Sequence, residues 1–161
     1  MTQYALLVDE KRCVGCQTCE VACKQENSLP VGPKWMAVIS RIREVDGKLV
    51  MSFSVIRCRH CGKPSCIDAC PTSAITKRAD GIVLIDPELC SGCMACIEAC
   101  PFGALQFNPQ KNVVEKCTLC VHRIEKGLKP ACVIHCPAEA IQFGDINELV
   151  QIRGKRRAQL V

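Results

Sequence analysis

The chain has 161 residues, 48% hydrophobic but only 4% aromatic, with 16 cysteines and a formal net charge of +5. So few aromatic rings make a conventional core hard to build, and the length allows one domain or two small fused ones. No stretch approaches the roughly 18 apolar residues of a spanning helix, which excludes direct membrane insertion.

In chain order, Met1 to Asp9 is a short apolar run with no basic region ahead of it, neither a secretory nor a twin-arginine signal. The expected compartment is the cytoplasm, where reducing conditions argue against disulfides. Cys13, Cys16, Cys19 and Cys23 form the first of four cysteine groups, and Lys24-Gln25-Glu26 reads as a helix continuing past it. Asn27 to Lys34, with Pro30, Gly32 and Pro33, is a loop. Met36 to Glu44 and Lys48 to Ile56 are Val- and Ile-rich strands around Asp46-Gly47, a two-residue hairpin signal. The second group, Cys58, Cys61, Cys66 and Cys70, leads to a turn at Asp80-Gly81 and a strand over Ile82 to Ile85. Then come Cys90, Cys93, Cys96 and Cys100, followed by Cys117, Cys120, Cys132 and Cys136. Residues 145–161 form a basic helical tail, capped by Asp145 or Asn147. Ile146, Leu149, Val150 and Ile152 give it an apolar side, Gly154 weakens its middle, and Arg153, Lys155, Arg156 and Arg157 carry its charge.

A repeat underlies this order. Cys66-Ile-Asp-Ala-Cys70-Pro-Thr-Ser-Ala74-Ile75, Cys96-Ile-Glu-Ala-Cys100-Pro-Phe-Gly-Ala104-Leu105 and Cys132-Val-Ile-His-Cys136-Pro-Ala-Glu-Ala140-Ile141 share C-x3-C-P-x2-A-[I/L]. Proline stops the short turn and sets the exit direction. C-x2-C-x2-C-x3-C-P is the bacterial ferredoxin spacing for cubane iron–sulfur clusters. Sixteen thiolates at four per cube imply four 4Fe-4S clusters. Such ligands are deprotonated, so the clusters would add about −8 and bring the loaded chain to about −3. The basic balance therefore gives no ground for a nucleic-acid partner. Zinc sites prefer two C-x2-4-C halves across a longer loop, a pattern only the fourth group approaches. His60, His122 and His135 stand beside ligand cysteines, but no group is short of a cysteine, so they read as surface or supporting groups. Trp35 is read as a core residue or a partner-docking aromatic.

Three cysteines at C-x2-C-x2-C wrap one corner of a cube, and the fourth faces a neighbouring cube, so motifs exchange their last cysteine in pairs. Spacing alone permits the first motif to pair with the second or with the fourth. The stretched second motif (Cys61-x4-Cys66) and the wider fourth (Cys120-x11-Cys132) resemble the four-cluster electron-transfer subunits of molybdenum and tungsten pterin oxidoreductases. That family includes beta subunits of formate dehydrogenases and of dimethyl sulfoxide and polysulfide reductases. Polyferredoxins attached to hydrogenases and aldehyde oxidoreductases are related. The resemblance runs from about Asp9 to Gly144. It implies an α+β fold of tandem ferredoxin-like modules with pseudo-two-fold symmetry. Residues 1–144 would form the four-cluster domain, with an inner module of about 57–110 and an outer one of about 1–35 with 111–144.

The resemblance also implies the ligand sets: Cys58, Cys61, Cys66 and Cys100; Cys70, Cys90, Cys93 and Cys96; Cys13, Cys16, Cys19 and Cys136; and Cys23, Cys117, Cys120 and Cys132. No substrate chemistry is expected of the chain itself, only single-electron relay. The implied partners are a molybdenum or tungsten pterin subunit, of formate dehydrogenase or aldehyde oxidoreductase type by preference, and a second redox subunit such as a flavoprotein or hydrogenase. The chain ends soon after the fourth motif, which points to a soluble assembly, and self-association through the tail is a further expectation. A free-standing polyferredoxin and a zinc-stabilised interaction module are the alternatives.

Overall fold

The computed structural model describes residues 2–158, with side chains described through residue 152. It is an α+β arrangement in which every sheet has two antiparallel strands and most helices are a single turn. The chain opens with β1 (Tyr4–Val8) and passes the first cysteine loop into α1 (Thr18–Glu26), which carries Cys19 and Cys23. A long hairpin follows, β2 (Met36–Val45) against β3 (Lys48–Arg57). Its turn is Asp46-Gly47, with φ of 50° and 72°. Positive φ at both turn residues matches the twist of a tight hairpin.

The three Cys-Pro repeats then fold alike. Each cysteine preceding the proline stands two residues after a short helix: α2 (Ser65–Asp68), α3 (Ala95–Glu98) and, further on, α5 (Ala131–Ile134). The third residue after that cysteine, Ser73, Gly103 or Glu139, adopts positive φ. Its amide returns to the cysteine carbonyl at 3.4, 3.2 and 3.1 Å respectively. The turn buries the next Ala and the next aliphatic, and that aliphatic begins a strand each time. These strands are β4 (Ile75–Lys77), β6 (Leu105–Asn108) and β8 (Ile141–Asp145). β4 pairs with β5 (Val83–Ile85), and β6 pairs with β7 (Val113–Lys116). β5 starts one residue later than its sequence suggests, because the Ile82 carbonyl accepts the Arg78 amide in the turn. α4 (Val121–Ile124) lies between the two halves of the fourth cysteine group.

β8 pairs with β1, in register from Tyr4 opposite Asp145 to Val8 opposite Ile141. This pairing joins the two ends of the described chain. α6 (Ile146–Ala158) follows. Of the two expected caps, Asp145 performs the role: its carboxylate accepts the Asn147 amide at 2.8 Å and the Gln3 amide at 3.0 Å. Of the expected apolar side, Leu149 is buried, whereas Ile146, Val150 and Ile152 are exposed. Leu160, Val161 and the side chains of Arg153, Lys155, Arg156 and Arg157 lie outside the described residues. Among those described, no helix is long and apolar enough to cross a membrane.

Cysteine contributes much of the core. Leu6, Met36, Ile82, Leu119 and Ile141 pack with Cys19, Cys23 and Cys132 in one cluster. Ile75, Val83, Leu105 and Val114 pack with Cys96 in another.

Candidate metal centre

In each cysteine group the residue before the second cysteine takes a positive φ: Gly15 (70°), His60 (48°), Gly92 (70°) and Leu119 (56°). That conformation turns successive amides toward one side of the loop, the geometry of an anion-binding concavity. Sulfur atoms already receive such donors. The His60 amide reaches Cys58 Sγ at 3.5 Å, and the Leu119 amide reaches Cys117 Sγ at 3.4 Å. Val114 donates to Cys90 at 3.4 Å and Ala140 to Cys136 at 3.3 Å. Side chains add Thr18 Oγ1 on Cys16 at 3.3 Å and Asn27 Nδ2 on Cys23 at 3.7 Å.

The tertiary structure gathers cysteines from different groups. One cavity is lined by Cys23 from the first group and Cys117, Cys120 and Cys132 from the fourth. Leu6, Trp35, Met36 and Leu119 supply its apolar walls. A second is lined by Cys70 from the second group and Cys90, Cys93 and Cys96 from the third, beside Ala74, Ile75, Ile85 and Val114. Thiol electrostatics report the remaining neighbours. Burial pushes Cys19 up to about 11, with Cys13, Cys136 and Cys16 adding to the rise. Burial also raises Cys66, which Lys116 pulls back down and Cys58 and Cys100 raise further. Burial and then Cys117, Cys120 and Cys19 carry Cys23 to about 12. Desolvation is the common cause, so these thiols bind protons strongly when no metal is present. Metal binding at such sites releases those protons.

The donor set fits iron–sulfur cubes. Among the described residues, no three His, Cys, Asp or Glu side chains converge closely enough to hold a single ion. Cysteines of two groups instead line each of two shared cavities. Buried donors also lack protein acceptors: Trp35 Nε1, His60 Nε2 and Arg57 Nε. An anionic cluster beside them would supply the missing acceptor.

His60 is not a surface group. It is buried, its Nδ1 accepts the Val83 amide at 2.9 Å, and burial, then Lys116 and Arg57, press it down to about 2. It is therefore a neutral imidazole with its hydrogen on Nε2. His122 lies on the surface against Glu26 at 2.8 Å, and His135 Nδ1 meets the Ala131 carbonyl at 2.9 Å. Two cations near the cysteines carry no signature in the sequence. Lys116 is 2% exposed and donates from Nζ to the carbonyls of Val83 and Cys117. Arg57 donates to the carbonyls of Cys58 and Leu6. Nothing in the run Val-Val-Glu-Lys distinguishes Lys116 from a solvated strand-end lysine.

The 4Fe-4S dicluster domain matches residues 49–146, and a second match of the same description covers residues 12–75. The protein belongs to the 4Fe-4S dicluster family. Within it, the sequence is 42% identical to the thiosulfate reductase electron transfer subunit PhsB of Salmonella typhi, across 91% of this protein and 78% of that one. It is 38% identical to a chain of the anaerobic dimethyl sulfoxide reductase of Escherichia coli, across 95% and 78%. Identity is 41% with a tetrathionate reductase subunit of Salmonella typhimurium, across 91% and 59%. PhsB is by name an electron transfer subunit and the others are by name subunits or chains of reductases; this chain is a 4Fe-4S electron-transfer subunit of an oxidoreductase and not its catalytic chain. The preference for a formate dehydrogenase or aldehyde oxidoreductase type finds no support among them.

Proposed function

We propose that the chain holds four 4Fe-4S clusters and relays single electrons between a molybdenum pterin catalytic subunit and a second redox subunit. The sulfoxide and sulfur-oxyanion reductases named among the relatives give the class of catalytic partner. The observation that carries the reading is the pair of cavities, each walled by three cysteines of one group and one of another.

The ligand sets of this reading are Cys13, Cys16, Cys19 with Cys136; Cys117, Cys120, Cys132 with Cys23; Cys58, Cys61, Cys66 with Cys100; and Cys90, Cys93, Cys96 with Cys70. Proximity between sets supports a row. Burial is the main cause of the rise at Cys96, Cys117 and Cys132, and a cysteine of a neighbouring set adds to each: Cys66, Cys58 and Cys19 respectively. Such a row runs from the Cys90 set through the Cys58 and Cys117 sets to the Cys13 set. Cys93 and Cys16 are the two exposed cysteines, one in each terminal set, where partners would approach. Two ferredoxin-like modules related by a pseudo-two-fold axis, 57–110 inside and 1–35 with 111–144 outside, accommodate this order.

Each cluster, when bound, stores and passes one electron at a potential set by its surroundings. The residues here hold it, exclude water from the inner sets and aim amides at sulfur. Iron and acid-labile sulfide analysis of the anaerobically purified chain tests the reading, with about sixteen of each expected per chain. Four zinc ions and no sulfide would overturn it. Affinity purification of the native complex should bring down a molybdenum-containing chain, and isolation of this protein alone would remove the partner assignment.

A further inference from the structure

Trp35 is the single tryptophan of the chain. Its ring is partly buried and packs against both the core containing Cys23 and Cys132 and the core containing Cys58 and Cys117. It also lines the cavity walled by Cys23, Cys117, Cys120 and Cys132. Met36, the next residue, is almost wholly buried in the same wall, which fixes where the indole sits. Yet Trp35 Nε1 is shielded from solvent and donates to no protein atom.

An indole N–H can only donate, and leaving such a donor buried without an acceptor costs about 1–3 kcal/mol. The polar neighbour Asn27 does not resolve this: its Oδ1 does not accept from the indole, and its Nδ2 donates to the Cys23 carbonyl at 2.8 Å and to Cys23 Sγ at 3.7 Å. Thr118, the other polar residue of the wall, does not accept from it either, which leaves the cysteine-lined space itself. We propose that the Trp35 indole N–H donates a hydrogen bond to a sulfur of the cluster held by Cys23, Cys117, Cys120 and Cys132, and holds up that cluster's reduction potential. The inference rests on the reading of these four cysteines as one cluster site. Reduction adds negative charge to the cube, so a donor aimed at its sulfur favours the reduced form more than the oxidised one. A ring serving only as filler would do the same work as phenylalanine. The N–H is the difference.

The test uses the full chain carrying its clusters. In Trp35→Phe, iron and sulfide content should be unchanged while one of four midpoint potentials, followed by electron paramagnetic resonance, moves down and the other three stay. In the unaltered protein with nitrogen-15 in its one indole ring, pulsed spectroscopy of the reduced clusters should detect coupling to that nitrogen and to a proton that exchanges in deuterium oxide. This second measurement decides the matter should the variant fail to assemble. Full cluster content with all four potentials unmoved, or labelled protein without nitrogen coupling on any reduced cluster, overturns the inference and leaves the cluster assignment standing. A native chain short of iron by one cube at this site overturns both.

Discussion

The ring of Phe53, on the long hairpin, closes directly over the α-carbon of Gly15 in the first cysteine loop. A methyl group built on Gly15 would overlap the ring, and Gly15 also sits at a φ of +70°. In the third loop Gly92 is at the same φ, and there a methyl would stand 2.6 Å from the backbone oxygen of Asn112. Gly15→Ala and Gly92→Ala should each cost at least the roughly 1–3 kcal/mol of a strained backbone, with loss of the local cluster. Adding Phe53→Ala to Gly15→Ala should restore part of the loss, since a side chain is the obstacle. No such relief is available at Gly92. Thermal unfolding and iron content of the three variants check this, and equal loss in the double and single Gly15 variants would refute the role of Phe53.

Lys116 lies between two proposed cluster sites, with its charge acting on Cys66, Cys117 and His60. Lys116→Met keeps most of the volume and removes the charge. It should lower the midpoint potential of at least one cluster. It should also destabilise the fold by about 1–3 kcal/mol, because the carbonyls of Val83 and Cys117 lose their donor. Redox titration alongside denaturant unfolding reads both effects.

Glu20 is buried on α1, and its carboxylate accepts the Val38 amide and meets Lys34 Nζ at 2.6 Å. It ties the helix carrying Cys19 and Cys23 to the root of the hairpin. Glu20→Ala leaves the amide unpaired and should cost about 1–3 kcal/mol. Glu20→Gln keeps an acceptor and should cost less. Denaturant midpoints of the two variants give the comparison.

Glu26 joins α1 to α4 through His122 and Arg123 at 2.8 and 2.9 Å. The His122 hydrogen bond, with help from Arg123, holds its carboxyl below the ordinary 4.5. A depressed acid adds stability that is complete above its ordinary value and fades as pH falls through the lowered one. Glu26→Gln should therefore be less stable than the parent near neutrality. The gap should close in acid, which unfolding temperatures measured from pH 7 downward will show.

Exchange of the last cysteine between motifs has its own test. Cys66→Ser and Cys100→Ser should disturb the same paramagnetic signal, and Cys70→Ser a different one, without abolishing assembly. Disturbance of one signal by Cys66→Ser and Cys70→Ser together would return each motif to its own cube.

Cysteine spacing, the three Cys-Pro repeats and the Asp46-Gly47 turn could all be read from the chain, because each depends on neighbours within about ten residues. The positive φ after each Cys-Pro and the burial of the following Ala and aliphatic are consequences of that local chemistry. The pairing of β1 with β8 could not be read, since Tyr4 to Val8 acquires a partner only when the far end of the chain returns to it. The same holds for Lys116, His60 and Trp35. Their residue types are ordinary, and only packing decides that a lysine is dry, an imidazole neutral and an indole N–H without an acceptor. The choice of candidate ligands is legible in short sequence, because it depends on thiol chemistry and loop length. Which thiols meet around one cavity, and which charges stand between cavities, is decided by tertiary contacts that bring distant segments into the same low-dielectric space.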